Sequence, residues 1–500
     1  MIPAPHRDDC KIIAFYLGRI IVGLGCTMAV PAILGLCMGE VAPAFDFLVA
    51  LEISLIAGLF LQAAFRTSKK PTWMHGMIVV SLAWLAAMFL GAVPLYASGH
   101  WKSYLDACFD SMSGFTASGM ILVQDLDHLP YSHNLWRHLI MFIGGQGIVI
   151  IALSLFVRGF SGGFTMYVGE ARDEKILPNI AHTSRFIWLV SMVYLVLGTA
   201  ALGAAGVFGG MKPLNALFHG ACIFMAAFDT GGFTPRSQSI MYYHSLPFEL
   251  ITMVLMIVGS LNFKLHFILW MGSRREIVRD IETRTLFISI MATFLVVAAG
   301  LYRAGIYPQV EALFRRGFYI LLAGHTTTGF QTVYTRQFIG AWGDLAIAGI
   351  MCTMAVGGAV CSTTGGIKII RIGIIFKALA QDIKKIMLPE RAIVVQKFHH
   401  VRELFLENKQ VRPAMIITLA YLAFYGLGAI VGMAYGHPFM HALFESISAT
   451  ANIGLSSGIT RESMAAGLKL TYIIQMWAGR LEFMSVFALA GFAYAAIKGK

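Results

Sequence analysis

The residues whose types and spacing could do chemistry lie in four short stretches. One is Ala323-Gly324-His325-Thr326-Thr327-Thr328-Gly329-Phe330, a polar run closed by glycine and an aromatic. Three others echo it: Gly114-Phe115-Thr116-Ala117-Ser118-Gly119-Met120, Ala227-Phe228-Asp229-Thr230-Gly231-Gly232-Phe233 and Ser448-Ala449-Thr450-Ala451-Asn452-Ile453-Gly454-Leu455. Carbonyl and hydroxyl oxygens in such runs can replace the hydration shell of a monovalent cation. Glycine lets a carbonyl turn with φ > 0, which a Cβ resists. The candidate ion ligands are therefore Thr116, Ala117, Ser118 and Gly119; Asp229, Thr230, Gly231 and Gly232; Thr326, Thr327, Thr328 and Gly329; and Ala451, Asn452, Ile453 and Gly454. The hydroxyls of Thr116, Ser118, Thr230, Thr326, Thr327 and Thr328 are expected to add acceptors. No HExxH, paired aspartate or Ser/His constellation is present, and no Walker or strand-linked GxGxxG motif, so an enzyme is disfavoured and no cofactor is expected.

The surrounding chain dictates what must position these stretches. Its 500 residues are 57% hydrophobic and 13% charged, about half the charged fraction of soluble proteins. Apolar runs long enough to cross a ~30 Å hydrocarbon layer recur from end to end. This is an all-α polytopic membrane protein. Residues 1–10 lack a cleaved-signal pattern, so the first apolar run is expected to stay as a membrane helix. The seven cysteines are scattered, with neither CxxC nor metal-ligand spacing.

Ten spans are predicted: 12–38, 44–65, 73–97, 133–157, 183–209, 246–271, 284–304, 342–386 (interrupted), 411–435 and 467–497. With both termini in the cytoplasm, most Lys and Arg fall inside, at the N-terminus, 66–70, 158–185, 274–284, 368–412 and 498–500. The +12 net charge is thus a cytoplasmic excess and not a nucleic-acid signal. Four outer connections are long and half apolar, each holding a helix-like run: Tyr104–Phe115, Pro213–Phe228, 308–324 and 438–450. Some 12 helical residues cover ~18 Å, about half a bilayer. Any one of these runs taken alone reads better as an amphipathic helix resting on the outer surface. The fourfold recurrence of span, half-helix, Gly-containing run and span argues for re-entrant loops. Bare backbone at membrane depth must be buried in protein or line a wet cavity. Four loops around one axis would make a hydrated pore, each half-helix aiming the negative end of its dipole inward. The expected division is a two-helix extension (1–70) and four pore repeats, 71–160, 161–275, 276–400 and 401–500. Arg19 and Glu52 lie inside apolar runs of the extension, and their cost implies burial against the core.

Several motifs, in order, resemble the Trk/Ktr/HKT superfamily of potassium transporters, in particular the bacterial Trk-type membrane subunit. They are Ser113-Gly114-Phe115-Thr116-Ala117-Ser118-Gly119, Phe142-Ile143-Gly144-Gly145-Gln146-Gly147-Ile148, Thr230-Gly231-Gly232-Phe233-Thr234-Pro235 with Asn262-Phe263-Lys264-Leu265-His266, and Thr327-Thr328-Gly329-Phe330. Gly357-Gly358 with Ser362-Thr363-Thr364-Gly365-Gly366-Ile367-Lys368, and Gly479-Arg480-Leu481-Glu482, complete the set. The resemblance covers about residues 70–500, and the first two helices resemble the extra pair of Trk-type subunits. It implies potassium uptake across a bacterial inner membrane, K+ as the transported ion, and Gly119, Gly232, Gly329 and Gly454 at the selective step. Serine in place of the first glycine accompanies sodium transport in the family, so Gly119 favours potassium. Asp229, Ala117 and Ala451 depart from the family pattern.

The eighth span breaks at Gly357, Gly358, Ser362, Thr363, Thr364, Gly365 and Gly366, poor helix interior at ~1 kcal/mol per glycine relative to alanine. It is either a small-residue packing surface or, as the resemblance implies, a gating loop beneath the filter. Arg480 lies too deep to snorkel and needs a carboxylate, carbonyls or water, with Glu445 or pore water expected; it is either a structural ion pair or a fixed charge beside the pore. The basic segment 384–412 is expected to face solvent or anionic lipid. The resemblance adds docking of a cytosolic ring of nucleotide-binding regulatory subunits, and a homodimer with one pore per subunit. The alternatives are a sodium/potassium-permeable or proton/sodium-coupled transporter, or a secondary transporter with two inverted repeats.

Overall fold

The computed structural model describes residues 6–148, 166, 180–389 and 394–498. Among these, six helices are long and apolar enough to cross a membrane: Arg7–Cys37, Val41–Ala64, Trp73–Ala97, His182–Phe208, Ile281–Arg303 and Asn408–Ala434. Counting each bent pair as one span raises this to nine. The predicted span 133–157 is seen as Tyr131–Gln146, ending at Gly147 with φ of 98°, and its remainder lies outside the described residues. On Val41–Ala64, Ile281–Arg303 and Asn408–Ala434 only 28%, 22% and 28% of the most apolar stretch is buried. Phe60, Ile288, Leu295 and Leu419 stand exposed there. Helices this apolar on an uncovered face have lipid as their solvent.

The first two spans pack through small residues. A Cβ on Gly18 would lie 2.6 Å from the Gly58 carbonyl oxygen, and one on Gly25 2.8 Å from the Ser54 Cβ. This close approach suits helices that meet in lipid, where packing replaces the hydrophobic drive. Arg19 is half-buried over the Phe15 ring at 4.8 Å. Glu52, expected to be buried, is exposed: its helix turns that face away from the core.

The four helix-like runs of the outer connections are helices. Tyr104–Phe115 and Pro213–Phe228 have the predicted bounds. The third runs from Val310 through a π-helical Leu313–Phe318 to Tyr319–His325, and the fourth is Phe439–Thr450. Local chemistry starts them: Ser103 accepts from the Asp106 amide at 3.2 Å, and Pro213 occupies a first-turn position where its missing N–H costs nothing. Their last two turns are buried throughout.

Three expectations are revised. The spans predicted as 246–271 and 467–497 are each broken: Leu246–Ser260 meets Phe263–Trp270 at 101°, and Ala466–Arg480 meets Met484–Lys498 at 112°. Hydropathy reads both halves as one run, but Asn262 caps a new helix by accepting the Lys264 amide at 2.9 Å, and Glu482 and Phe483 adopt φ > 0. The interrupted eighth span behaves as expected, Gly343–Ala355 ending and Ile369–Met387 resuming. The segment 384–412 is also not simply a solvated charge run. It contains an antiparallel hairpin, Lys397–His400 with Arg402–Phe405, the only strands among the described residues.

Candidate cation site

Each short helix ends in the same way. Thr116, Asp229, Thr326 and Ala451 keep near-helical φ, and the next residue flips: Ala117, Thr230, Thr327 and Asn452 have φ of 53°, 51°, 55° and 57°. The flipped amide bonds back three residues (Ala117 N to Gly114 O, 2.9 Å; Thr327 N to Gly324 O, 3.2 Å), and the following amide bonds back five (Ser118 N to Ser113 O and Thr328 N to Ala323 O, both 2.8 Å). This is a Schellman ending, normally built on glycine. Two residues further on, Gly119, Gly232, Gly329 and Gly454 again have positive φ, 69°, 75°, 74° and 95°. The sequence pointed to the glycines alone. The left-handed residue two before each was missed: Ala117, Thr230 and Thr327 give no signal for a conformation costing ~1 kcal/mol or more, whereas Asn452, a residue type enriched in this region, could have been noticed.

The four loops meet in a closed ring. A Cβ on Gly119 would collide with the Gly231 carbonyl oxygen, one on Gly232 with that of Thr328, and one on Gly329 with that of Ile453. One on Gly454 would lie 2.7 Å from the Ser118 carbonyl oxygen, which closes the circuit. Ser118, Gly231, Thr328 and Ile453 occupy the same place in their loops, one residue before the glycine. The four candidate loops are therefore brought together, each one packing its glycine against a carbonyl of the next.

The hydroxyls of four of these residues also brace the loops themselves. Thr116 and Thr326 bond back to the Met112 and Leu322 carbonyls at 2.7 and 2.8 Å. Ser118 pairs with Thr116 at 2.7 Å and accepts the Asn452 amide at 2.8 Å; Thr328 pairs with Thr326 at 2.9 Å. These bonds fix loop shape. Asp229 receives the Gln146 amide at 2.6 Å, which accounts for a carboxylate in a buried loop.

Behind the ring, Gly144, Gly259 and Gly479 of the following helices press on the carbonyls of Phe115, Phe228 and Thr450, the last residues of three short helices. Above it, carboxylates at matching positions brace the outgoing chain. Asp110 accepts the Leu122 amide at 2.7 Å and the Trp101 indole at 2.9 Å. Glu445 accepts the amides of Ser457 at 2.7 Å and Thr460 at 3.0 Å, with the Ser456 and Thr460 hydroxyls. Both stand five residues before the end of their helix, a register the repeat alignment could have exposed.

Glu445 is thus not the partner of Arg480. The Arg480 guanidinium donates to carbonyls, those of Thr363 at 2.6 Å, Gly144 at 2.8 Å and Gly145 at 3.1 Å, and lies 5.9 Å from the Trp84 ring. Glu482 forms a buried ion pair with Arg371.

The chain between Ala355 and Ile369 passes directly under the ring. Thr363 Oγ1 donates to the carbonyls of Phe228 and Gly259 (3.0 and 2.9 Å) and lies 3.2 Å from Thr230 Oγ1. The Gly365 amide donates to Thr327 Oγ1 at 3.0 Å, and a Cβ on Gly365 would collide with the Ala451 carbonyl. Ser362 and Thr364 share a 2.7 Å hydrogen bond, Thr364 accepts the Gly358 amide at 3.1 Å, and the Lys368 ammonium donates to the Thr364 carbonyl. Gly357 packs on Gly365, and Gly366 has φ of 66°. Beneath the loop, Arg480, Lys368, Trp84 and Tyr421 help enclose a cavity of about 20 Å³, room for about one water. The loop touches three of the four polar loops.

A sequence profile of the TrkH family, described as a cation transport protein, matches residues 44–493. An uncharacterized cation transporter of Methanocaldococcus jannaschii is 30% identical over 98% of this chain and 97% of its own. The Trk system potassium uptake protein TrkH of Escherichia coli is 26% identical, covering 96% of this chain and 98% of its own. The crystal structure of the potassium transporter TrkH from Vibrio parahaemolyticus superposes with a TM-score of 0.78 at 23% identity, covering 96% of this chain and 98% of that one, and so shares the fold.

Proposed function

Since the chain belongs to the TrkH family of cation transport proteins, we propose that it conducts potassium through a filter formed by its four polar loops and gated by the loop at 356–368. The observation that carries this is the closed ring of glycine–carbonyl contacts from Gly119 round to Gly454. Its ligands are backbone carbonyls, which can strip the hydration shell of a monovalent ion; the C-terminal ends of four short helices add partial negative charge at the centre.

The gate consists of Gly357, Gly358, Ser362, Thr363, Thr364, Gly365 and Gly366, with Arg480 as its latch. In the closed state the Arg480 charge sits beside the path and is held on the Thr363 carbonyl. Opening requires the loop to leave the Phe228, Gly259 and Thr327 contacts, which its glycines permit without breaking a core. The relatives named as Trk system potassium uptake proteins support potassium uptake; a bacterial inner membrane with both termini in the cytoplasm is the reading drawn from the charge distribution. The division into an extension, 1–70, and pore repeats 71–160, 161–275, 276–400 and 401–500 follows the four short helices. The basic cytoplasmic face around 384–412 suits a nucleotide-binding regulatory ring, and the exposed apolar helices suit lipid and a second copy of the chain.

Flux of potassium, rubidium, sodium and lithium into vesicles containing the purified protein, with and without an imposed proton gradient, tests this. Potassium and rubidium should permeate well ahead of sodium, and Gly119→Ser should narrow the gap by about tenfold or more. Equal sodium flux in the unaltered protein would remove the potassium assignment. Uphill uptake driven by the proton gradient would replace the channel with a coupled carrier.

A further inference from the structure

Below the gating loop, three side chains from two distant parts of the chain converge. Asp280 caps the helix Ile281–Arg303, Glu282 lies in its first turn, and His400 ends the first strand of the hairpin. All three are buried. Their facing atoms lie within 4.8 Å of one another: His400 Nδ1 is 3.0 Å from Asp280 Oδ2 and 3.9 Å from Glu282 Oε2.

Each carboxylate turns one oxygen to this point while the other is tied down. Asp280 Oδ1 accepts the Glu282 amide at 2.8 Å, and Glu282 Oε1 accepts the Val360 amide at 2.7 Å. Around the facing atoms, the Asn262 side-chain amide donates to Glu282 Oε2 at 3.2 Å and the Val401 amide to Asp280 Oδ2 at 3.2 Å. The 3.0 Å contact between His400 and Asp280 is a hydrogen bond; metal ligands are commonly braced by such outer hydrogen bonds, whose loss costs ten- to a hundredfold in affinity.

We propose that Asp280, Glu282 and His400 bind a divalent transition ion. One imidazole nitrogen with two carboxylate oxygens suits ions of the zinc and manganese class; magnesium, which favours all-oxygen octahedra, fits less well. The ion would neutralise two buried carboxylates and cross-link the hairpin to the helix. Glu282 also holds the Val360 amide, inside the proposed gate, so occupancy stiffens the loop at its Val360 end and lowers flux. That last step rests on the transport reading; the site itself does not.

Full-length protein in detergent should take up one Mn2+ per chain, read as loss of the free-ion paramagnetic resonance signal, and Zn2+ should displace it. His400→Gln and Asp280→Asn should each weaken uptake by about tenfold or more, and His399→Gln should leave it unchanged. X-ray absorption of the zinc-loaded unaltered protein, which depends on no variant folding, should show one imidazole with oxygen ligands. Sulfur or several imidazoles in that shell, absence of stoichiometric uptake, or uptake indifferent to His400→Gln would overturn the site. In vesicles, Mn2+ at saturating occupancy should slow potassium flux in the unaltered protein and not in His400→Gln. Unchanged flux with binding intact would overturn the coupling alone. No potassium flux in metal-free vesicles would instead count against the transport reading and leave the binding result standing.

Discussion

At the scale of single residues, the four glycines are unequal. Gly232 and Gly329 press on a neighbouring carbonyl so closely that any Cβ overlaps it, whereas Gly454 leaves 2.7 Å. All three have positive φ, so alanine pays a conformational cost of ~1 kcal/mol at each. The steric part differs. Gly329→Ala and Gly232→Ala should therefore lower thermal stability and potassium selectivity more than Gly454→Ala, read by melting of the purified protein and by the potassium-to-sodium flux ratio. An equal effect at all three would mean that the ring contacts are not what fixes the filter. The hydroxyls carry a related lesson. The sequence shows them beside the glycines but not that Thr116 and Thr326 donate theirs to carbonyls of their own helices. Which atoms a threonine bonds depends on its rotamer, and the rotamer is set by neighbours in space.

At the scale of elements, the loop at 356–368 is pinned by many hydrogen bonds, and those of Thr363 tie it to the Phe228 and Gly259 carbonyls. Replacing Thr363 by Val keeps the shape and removes the donor to the Phe228 and Gly259 carbonyls. Those carbonyls remain buried, so the closed arrangement should lose about 1–3 kcal/mol. Basal potassium flux in vesicles should rise several-fold with selectivity unchanged, because no filter backbone is altered. Loss of selectivity together with flux would instead place Thr363 in the filter. The break of the eighth span was legible from its glycines, whereas the bends at Leu261 and Leu481 were not. Hydropathy averages over a window, and an asparagine cap or a left-handed pair hardly changes that average.

For the whole molecule, the proposed orientation rests on the positive-inside rule applied to the Lys and Arg distribution. With exposed native cysteines replaced by serine, Arg461→Cys should react with a membrane-impermeant thiol reagent on intact cells. Lys409→Cys should react only after the cells are opened; the reverse pattern would invert the topology. Both side chains are exposed.

By itself the sequence determined that the chain spans a membrane, and placed its four short helices to within a residue or two, because hydropathy, helix starts and repeats are local properties. Only the tertiary structure decided that each of the four glycines packs on the carbonyl just before the next loop's glycine and that Arg480 rests on the backbone of two other segments. It alone showed that Glu445 braces an outer loop and that His400 comes to Asp280. Those partners lie 120 residues apart in one case and more than 300 in another. Nothing local encodes such a distance; it is set when helices with lipid on one side and each other on the other settle into a single packing.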